Sequence, residues 1–130
     1  MTRKGGDGTE HEKYTVCGVC PHACRLKEGD TGFCRARVCR DGRIVPENYG
    51  RITSLALDPI EKKPLAGFYP GSLILSAGSY GCNFRCPFCQ NHSISDVGSE
   101  QAGYTVISPS ELVRTAEELV PRGNIGIAFT

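Results

Sequence analysis

Cysteine is the residue type whose spacing in this chain could do chemistry. Eight cysteines occur in 130 residues, in two groups: Cys17, Cys20, Cys24, Cys34 and Cys39, then Cys82, Cys86 and Cys89. Residues 40–81 between them hold none, so two groups suggest two sites. An even count in a small chain fits a disulfide framework where the compartment is oxidising. The start, Met1-Thr-Arg-Lys-Gly-Gly-Asp-Gly, has no apolar stretch behind its basic residues, so no secretory signal is read there. Metal ligation is therefore the favoured use of these thiols, ahead of dithiol redox, disulfides or ordinary buried thiols.

The segment Cys82-Asn83-Phe84-Arg85-Cys86-Pro87-Phe88-Cys89 sets three thiolates at C-x3-C-x2-C, a spacing that lets one loop wrap one small cluster. Electron-transfer [4Fe–4S] cubanes take a fourth cysteine, so three ligands leave one iron open. An open position is how a metal site takes a substrate. Gly78 and Gly81 let the backbone turn where β-carbons would crowd a cluster. Phe88 stands beside the last ligand, placed to shield a cluster and to face a planar base. Cys86-Pro87-Phe88-Cys89 can also be read as a redox dithiol near a helix N-terminus. That reading leaves Cys82 without a role, and the predicted helix starts nearly twenty residues later. A structural zinc site would need His92 as fourth ligand, at an unfamiliar spacing.

Cys17, Cys20, Cys24 and Cys34 supply four thiolates over eighteen residues, enough to close a tetrahedral zinc site or a second cubane. Cys39 is left over and reads as structural; it could replace Cys34 as the last ligand, and His22 is a weaker substitute. Residues 14–45 offer few apolar side chains for a core, and metal binding can supply folding energy instead. Zinc and iron–sulfur both fit.

Elements must hold these loops. Residues 1–13 are Gly-rich and charged and predict a flexible tail. Residues 14–71 form a Cys-rich N-terminal region with short strands, Arg43–Val45 and the alternating Arg51–Leu57, followed by a Pro- and Gly-broken connection over 59–72. From residue 72 the rhythm changes. Ser72–Ala77 is an apolar run expected of a buried parallel strand. Ser108 then predicts an N-cap, with Pro109 at N1 and Glu111 completing a capping box. Leu112, Val113, Ala116, Leu119 and Val120 share one helical face, Pro121 and Gly123 stop the helix, and Ile125–Phe129 opens a second strand. Strand, helix and strand make one βαβ unit. The cysteines follow its first strand, at the end where α/β proteins place their sites.

The formal net charge is +1, from 15 Lys+Arg against 14 Asp+Glu. That balance gives no electrostatic reason to expect a nucleic acid or an anionic membrane as partner. No apolar run approaches the ~20 residues of a bilayer span, and the expected location is the cytoplasm.

C-x3-C-x-aromatic-C after a first strand resembles the signature of the radical S-adenosylmethionine (SAM) superfamily. The stretch Gly81–Asn91 is similar to the branch holding the pyruvate formate-lyase activating enzymes, and within it most to the radical SAM component of the AmmeMemoRadiSam system. Asp58–Leu65, Phe68–Ser72 and the Cys17–Cys34 spacing resemble that subfamily too. The resemblance implies an α/β fold in which the Cys-rich N-terminal β/loop region precedes the first βαβ portion of a partial (β/α)6 TIM-like barrel. At ~30 residues per βα unit, residues 72–130 hold fewer than two, so a truncated barrel is expected. It also implies an oxidoreductase that binds a [4Fe–4S] cluster on Cys82, Cys86 and Cys89. SAM would chelate the open iron and accept one electron from a low-potential donor. The 5′-deoxyadenosyl radical so formed would abstract a hydrogen atom, from a glycine of a protein substrate in the activating enzymes. Phe88, by motif position, would contact the adenosyl group, with His92 near the SAM pocket. A non-catalytic zinc or iron–sulfur module is the competing reading.

Overall fold

The computed structural model describes residues 13–130. All but the last residue of the expected tail lies outside them. Among the described residues nine strands and two α-helices follow in order: β1 (Thr15–Val16), β2 (Arg25–Leu26), β3 (Arg37–Arg40), β4 (Arg43–Pro46), β5 (Arg51–Ile52), β6 (Ser54–Pro59), β7 (Leu73–Gly78), α1 (His92–Ser95), β8 (Thr105–Val106), α2 (Pro109–Glu118) and β9 (Asn124–Phe129). Among the described residues no helix is long and apolar enough to cross a membrane.

The principal sheet has the order β6–β7–β9. β7 runs parallel to β9, with α2 in the connection, and antiparallel to β6. The apolar run thus becomes the central strand, and its last four residues are buried, as an apolar run without alternation requires. The sequence reading had no partner for β6. Ser54 to Pro59 nevertheless pairs with Gly78 to Leu73 along its whole length, so this sheet spans the expected boundary at residue 72. The predicted strand Arg51–Leu57 is divided at Thr53, whose amide donates to the Gly78 carbonyl at 2.8 Å. Its first part, β5, pairs instead with β8, in the segment between the cysteine loop and α2.

α2 is only ten residues long, too short to stand on propensity alone. Its start is held by the predicted capping box: Ser108 Oγ accepts from the Glu111 amide at 3.3 Å, and the Glu111 carboxylate accepts from the Ser108 amide at 2.8 Å. Packing does the rest. Leu112 and Ala116 bury against Leu75 and Ala77, with Ile52, Ile107, Leu119 and Ile127 around them. Val113 and Val120, expected on the same apolar face, are exposed. The face is therefore narrower than the sequence implied, because the sheet beneath α2 is only β7 and β9. After a 3₁₀ turn over Val120–Arg122, Gly123 takes a left-handed φ of 100° that ends the helical segment.

The β7–β9 register shifts between Leu73 and Leu75. Asn124, 4% exposed, fills the irregularity. Its Oδ1 accepts from the Leu75 amide at 2.9 Å and its Nδ2 donates to the Ala116 carbonyl at 2.9 Å, so one side chain joins sheet and helix.

N-terminal to this sheet lie two hairpins, β1–β2 and β3–β4. The β3–β4 turn is Asp41-Gly42, with φ of 51° and 68°, the two positive values of a type I′ turn. Both turn amides donate to the Glu28 carboxylate, at 2.8 and 3.1 Å, and hold it below the ordinary glutamate value. β3 was hidden in sequence by the loop-like composition around the cysteines.

Candidate metal centre

The C-x3-C-x2-C loop starts where the central strand ends. Beyond Gly78, Ser79 Oγ donates to the Arg51 carbonyl at 2.8 Å and Tyr80 is fully buried. The Tyr80 phenol oxygen accepts from Arg51 Nη1 at 2.9 Å, and its carbonyl accepts from Asn48 Nδ2 at 3.0 Å. The Tyr80 contact is the main cause of an upward shift in the Arg51 pKa. The loop is thereby anchored two residues before Cys82 by a ring that composition did not mark out.

Gly81 and Cys82 are pinned on two sides. The Gly81 amide donates to Ile94 of α1 at 2.8 Å, and the Cys82 amide donates to the Cys34 carbonyl at 3.0 Å. A β-carbon on Gly81 would come 2.5 Å from that same Cys34 oxygen and 2.9 Å from Ala36 Cβ, at a φ of +88°. Glycine was expected here to spare a cluster from crowding. The crowding that the structure shows comes from the N-terminal region. At Gly78 it comes from Ser54 Oγ.

The thiols of the motif lie in three settings. Cys82 lines a cavity of about 340 Å3, Cys86 is exposed, and Cys89 Sγ is 3.5 Å from Ser95 Oγ on α1. The Cys89 amide donates to the Cys86 carbonyl at 3.2 Å, which closes a tight turn between these two ligand candidates. Phe88 is 83% exposed beside them. His92 is exposed as the first residue of α1, and its amide donates to the Cys89 carbonyl at 3.3 Å. α1 begins far earlier than the predicted helix, so its distance no longer argues against a dithiol at Cys86 and Cys89.

The cavity at Cys82 belongs mainly to the N-terminal group. Cys17, Cys20, Cys24 and Cys34 line it together with Cys82 and Phe33. Three of these come from the 17–24 loop of the β1–β2 hairpin, closed by the Cys17 amide donating to the Cys24 carbonyl at 2.8 Å. The Phe33 amide donates to Cys24 Sγ at 3.5 Å. His22 stands close by, with Nδ1 3.5 Å from Cys20 Sγ and its ring stacked on Phe33 at 4.3 Å. Cys39 is buried on β3 and faces a different cavity, beside Glu28 and Thr15. All eight cysteines are free thiols. Among the described residues no three or more His, Cys, Asp or Glu side chains stand at ligating geometry. The donor set itself, all thiol with one imidazole, is the chemistry of zinc and iron–sulfur ligation.

One ionic lock joins the two groups. Asp96, just after α1, receives Arg35 Nη1 and Arg85 Nε on the same carboxylate oxygen, each at 2.9 Å. Arg35 also donates to the Asp96 carbonyl. Arg85 and Asp96 line a second, polar cleft of about 840 Å3. Neither Asp96 nor Tyr80 carried any sequence signal of a site, since single charged or aromatic loop residues have no diagnostic spacing.

The described residues form a small fold of mixed sheets and two α-helices, in which the two cysteine groups meet through the Cys82–Cys34 backbone hydrogen bond. The chain is similar to an uncharacterized protein of Methanocaldococcus jannaschii, with 45% identity over 100 residues, which are 77% of this chain and 30% of the relative. The chain thus spans less than a third of that relative's length. No family model matches it, and no solved structure matches it significantly.

Proposed function

We propose that the chain is the cluster-binding N-terminal part of a radical SAM oxidoreductase resembling the glycyl-radical-enzyme activases, working in the cytoplasm. The observation that supports this reading most is the place of the C-x3-C-x2-C loop: it leaves the C-terminal end of a central strand in a βαβ unit. Ligands of open α/β folds are bound at that end. Cys82, Cys86 and Cys89 would hold a [4Fe–4S] cluster with one open iron for SAM. When bound, that cluster supplies the electron for reductive cleavage of SAM.

The residues of this chain have narrower tasks. Tyr80 and Arg51 fix the start of the loop, Cys34 fixes Cys82, and α1 fixes the turn at Cys89. Phe88 is free to cover the adenosyl group. A low-potential electron donor and a substrate bearing an abstractable hydrogen are the partners this chemistry needs.

Anaerobic reconstitution with iron and sulfide tests the reading. The expected result is a brown chain with about four irons per cluster, whose spectrum SAM perturbs. Stoichiometric zinc with no effect of SAM would establish the second reading, a non-catalytic metal-binding module. What favours that second reading is the cavity shared by Cys17, Cys20, Cys24 and Cys34, which suits a closed thiolate site of the structural kind.

A further inference from the structure

We infer that Arg85 is the positioning residue of the cysteine loop, locking it onto the N-terminal cysteine region; this rests on the reading above that the loop holds a cluster. Arg85 lies inside the motif, next to Cys86, in the part of the spacing that ligand chemistry leaves free. Every nitrogen of its guanidinium is used. Nε pairs with Asp96 Oδ1 at 2.9 Å, Nη2 donates to the Phe33 carbonyl at 2.7 Å, and Nη1 donates to the Cys82 and Phe84 carbonyls at 3.2 Å each. Its carbon centre sits 4.1 Å from the centre of the Phe33 ring.

An exposed ion pair alone would hold little, and Asp96 is half-exposed. Arg85 does more than pair. It touches its own loop at Cys82 and Phe84, the N-terminal wall at Phe33, and the segment after α1 at Asp96. The ends of the loop are already tied, Cys82 to Cys34 and Cys89 to α1. Arg85 therefore holds the middle, and Asp96 is braced for that task by Arg35. A planar fork of five N–H donors can meet these groups at once, whereas an ammonium meets them one at a time. Groups that orient metal ligands from behind typically change metal retention 10- to 100-fold when removed. The same contact links the loop to the wall of the N-terminal thiol cavity through Phe33.

The test uses the full chain and three substitutions, Arg85→Gln, Arg85→Lys and Asp96→Asn, with Lys62→Gln as control because Lys62 pairs away from the loop, with Asp58 at 3.0 Å. Two readouts are taken: backbone amide exchange across residues 82–90 before iron is added, and the rate at which a chelator strips the reconstituted cluster. Arg85→Gln is expected to speed exchange in the loop about tenfold and stripping about 10- to 100-fold, with the thermal midpoint held close to wild type. Arg85→Lys and Asp96→Asn should fall between, and Lys62→Gln should match wild type. Unchanged loop exchange in Arg85→Gln overturns the inference whatever the cluster does. Faster exchange with unchanged stripping overturns the role in positioning the ligands. A wild-type chain that takes up no iron overturns the functional reading instead, and the exchange arm still decides whether Arg85 holds the loop.

Discussion

The amide of Cys82 donates to the carbonyl of Cys34 at 3.0 Å, so the first thiol of one cysteine group hangs on the backbone of the last cavity-lining thiol of the other. Gly81, one residue earlier, approaches that same carbonyl. The two groups are far apart in sequence and form one structural unit.

Gly81→Ala tests that contact. The β-carbon would meet the Cys34 oxygen at 2.5 Å and force a φ of +88° on alanine. Backbone strain of this kind costs ~1–3 kcal/mol, and the clash adds to it. Gly71→Ala is the matched control: its φ of +81° is as unfavourable, yet its β-carbon would meet nothing within 4 Å. Chemical denaturation should show a larger loss for Gly81→Ala, with the difference reporting the contact. Equal losses would mean that the Cys34–Gly81 approach contributes nothing.

The ligand assignment is tested thiol by thiol. Alanine at Cys82, Cys86 or Cys89 should each abolish the absorbance of the reconstituted cluster, since a three-ligand cubane has no spare thiolate. Cys39→Ala should leave it intact, because Cys39 faces away from the cavity of the other N-terminal cysteines. Loss of the chromophore in Cys39→Ala, with the fold retained, would make Cys39 a ligand of the cluster.

What the sequence disclosed and what it hid divide along physical lines. Strand β7, helix α2 with its Ser108–Glu111 box, and strand β9 were legible because each is written in local pattern: an apolar run, a cap, a helical period. β3, β5 and β8 are two to four residues long; β5 and β8 pair across a separation that no local pattern encodes, and β3, joined to β4 by a two-residue turn, is masked by the loop-like composition around the cysteines. The cysteine spacing announced ligand candidates. It did not announce that Arg85, Tyr80 and Asp96 hold them, since such roles arise only when loops meet. Val113 and Val120 show the converse failure, apolar residues on the expected face with no sheet beneath them.

Asn124 carries a structural prediction. Asn124→Ala would leave the buried Leu75 amide without its partner, while the Ala116 carbonyl keeps the Leu119 amide at 3.3 Å. An unsatisfied buried donor costs ~1–3 kcal/mol, and a loss of that size is expected by denaturation. Asn124→Asp can still accept from Leu75 and cannot donate to Ala116, and should not restore the full stability. Wild-type stability in Asn124→Ala would show that the register shift needs no side chain to support it.

Acid stability follows from the carboxylates that accept backbone amides. Glu28 is lowered chiefly by the amides of Asp41 and Gly42, and Glu111 by the hydroxyl and amide of Ser108. A folded pKa below the ordinary 4.5 means that the folded state binds fewer protons than the unfolded chain. Their stabilisation is thus complete above that value and is lost as the pH falls through the lower folded pKa. Glu28→Gln should therefore flatten the decline of stability as the pH falls below the ordinary value of 4.5. An unchanged slope would show that the turn at Asp41-Gly42 does not depend on the charge of Glu28.

The last prediction concerns β9. It pairs with β7 on one side, and among the described residues no strand pairs with its other edge. Phe129 is 77% exposed on this strand and Ile125 43%, with Val120 exposed just before it. An apolar strand with unpaired amides and carbonyls is a template for another strand. The 130-residue chain should therefore self-associate with rising concentration, read as a concentration-dependent sedimentation coefficient. Phe129→Lys should suppress that association, because a charged edge resists pairing, while leaving the core of Leu75, Ala77, Leu112 and Ala116 untouched. If Phe129→Lys associates as wild type does, the contact lies elsewhere on the surface. If the wild-type chain stays monomeric at high concentration, the β9 edge is protected in a way that its exposure does not reveal.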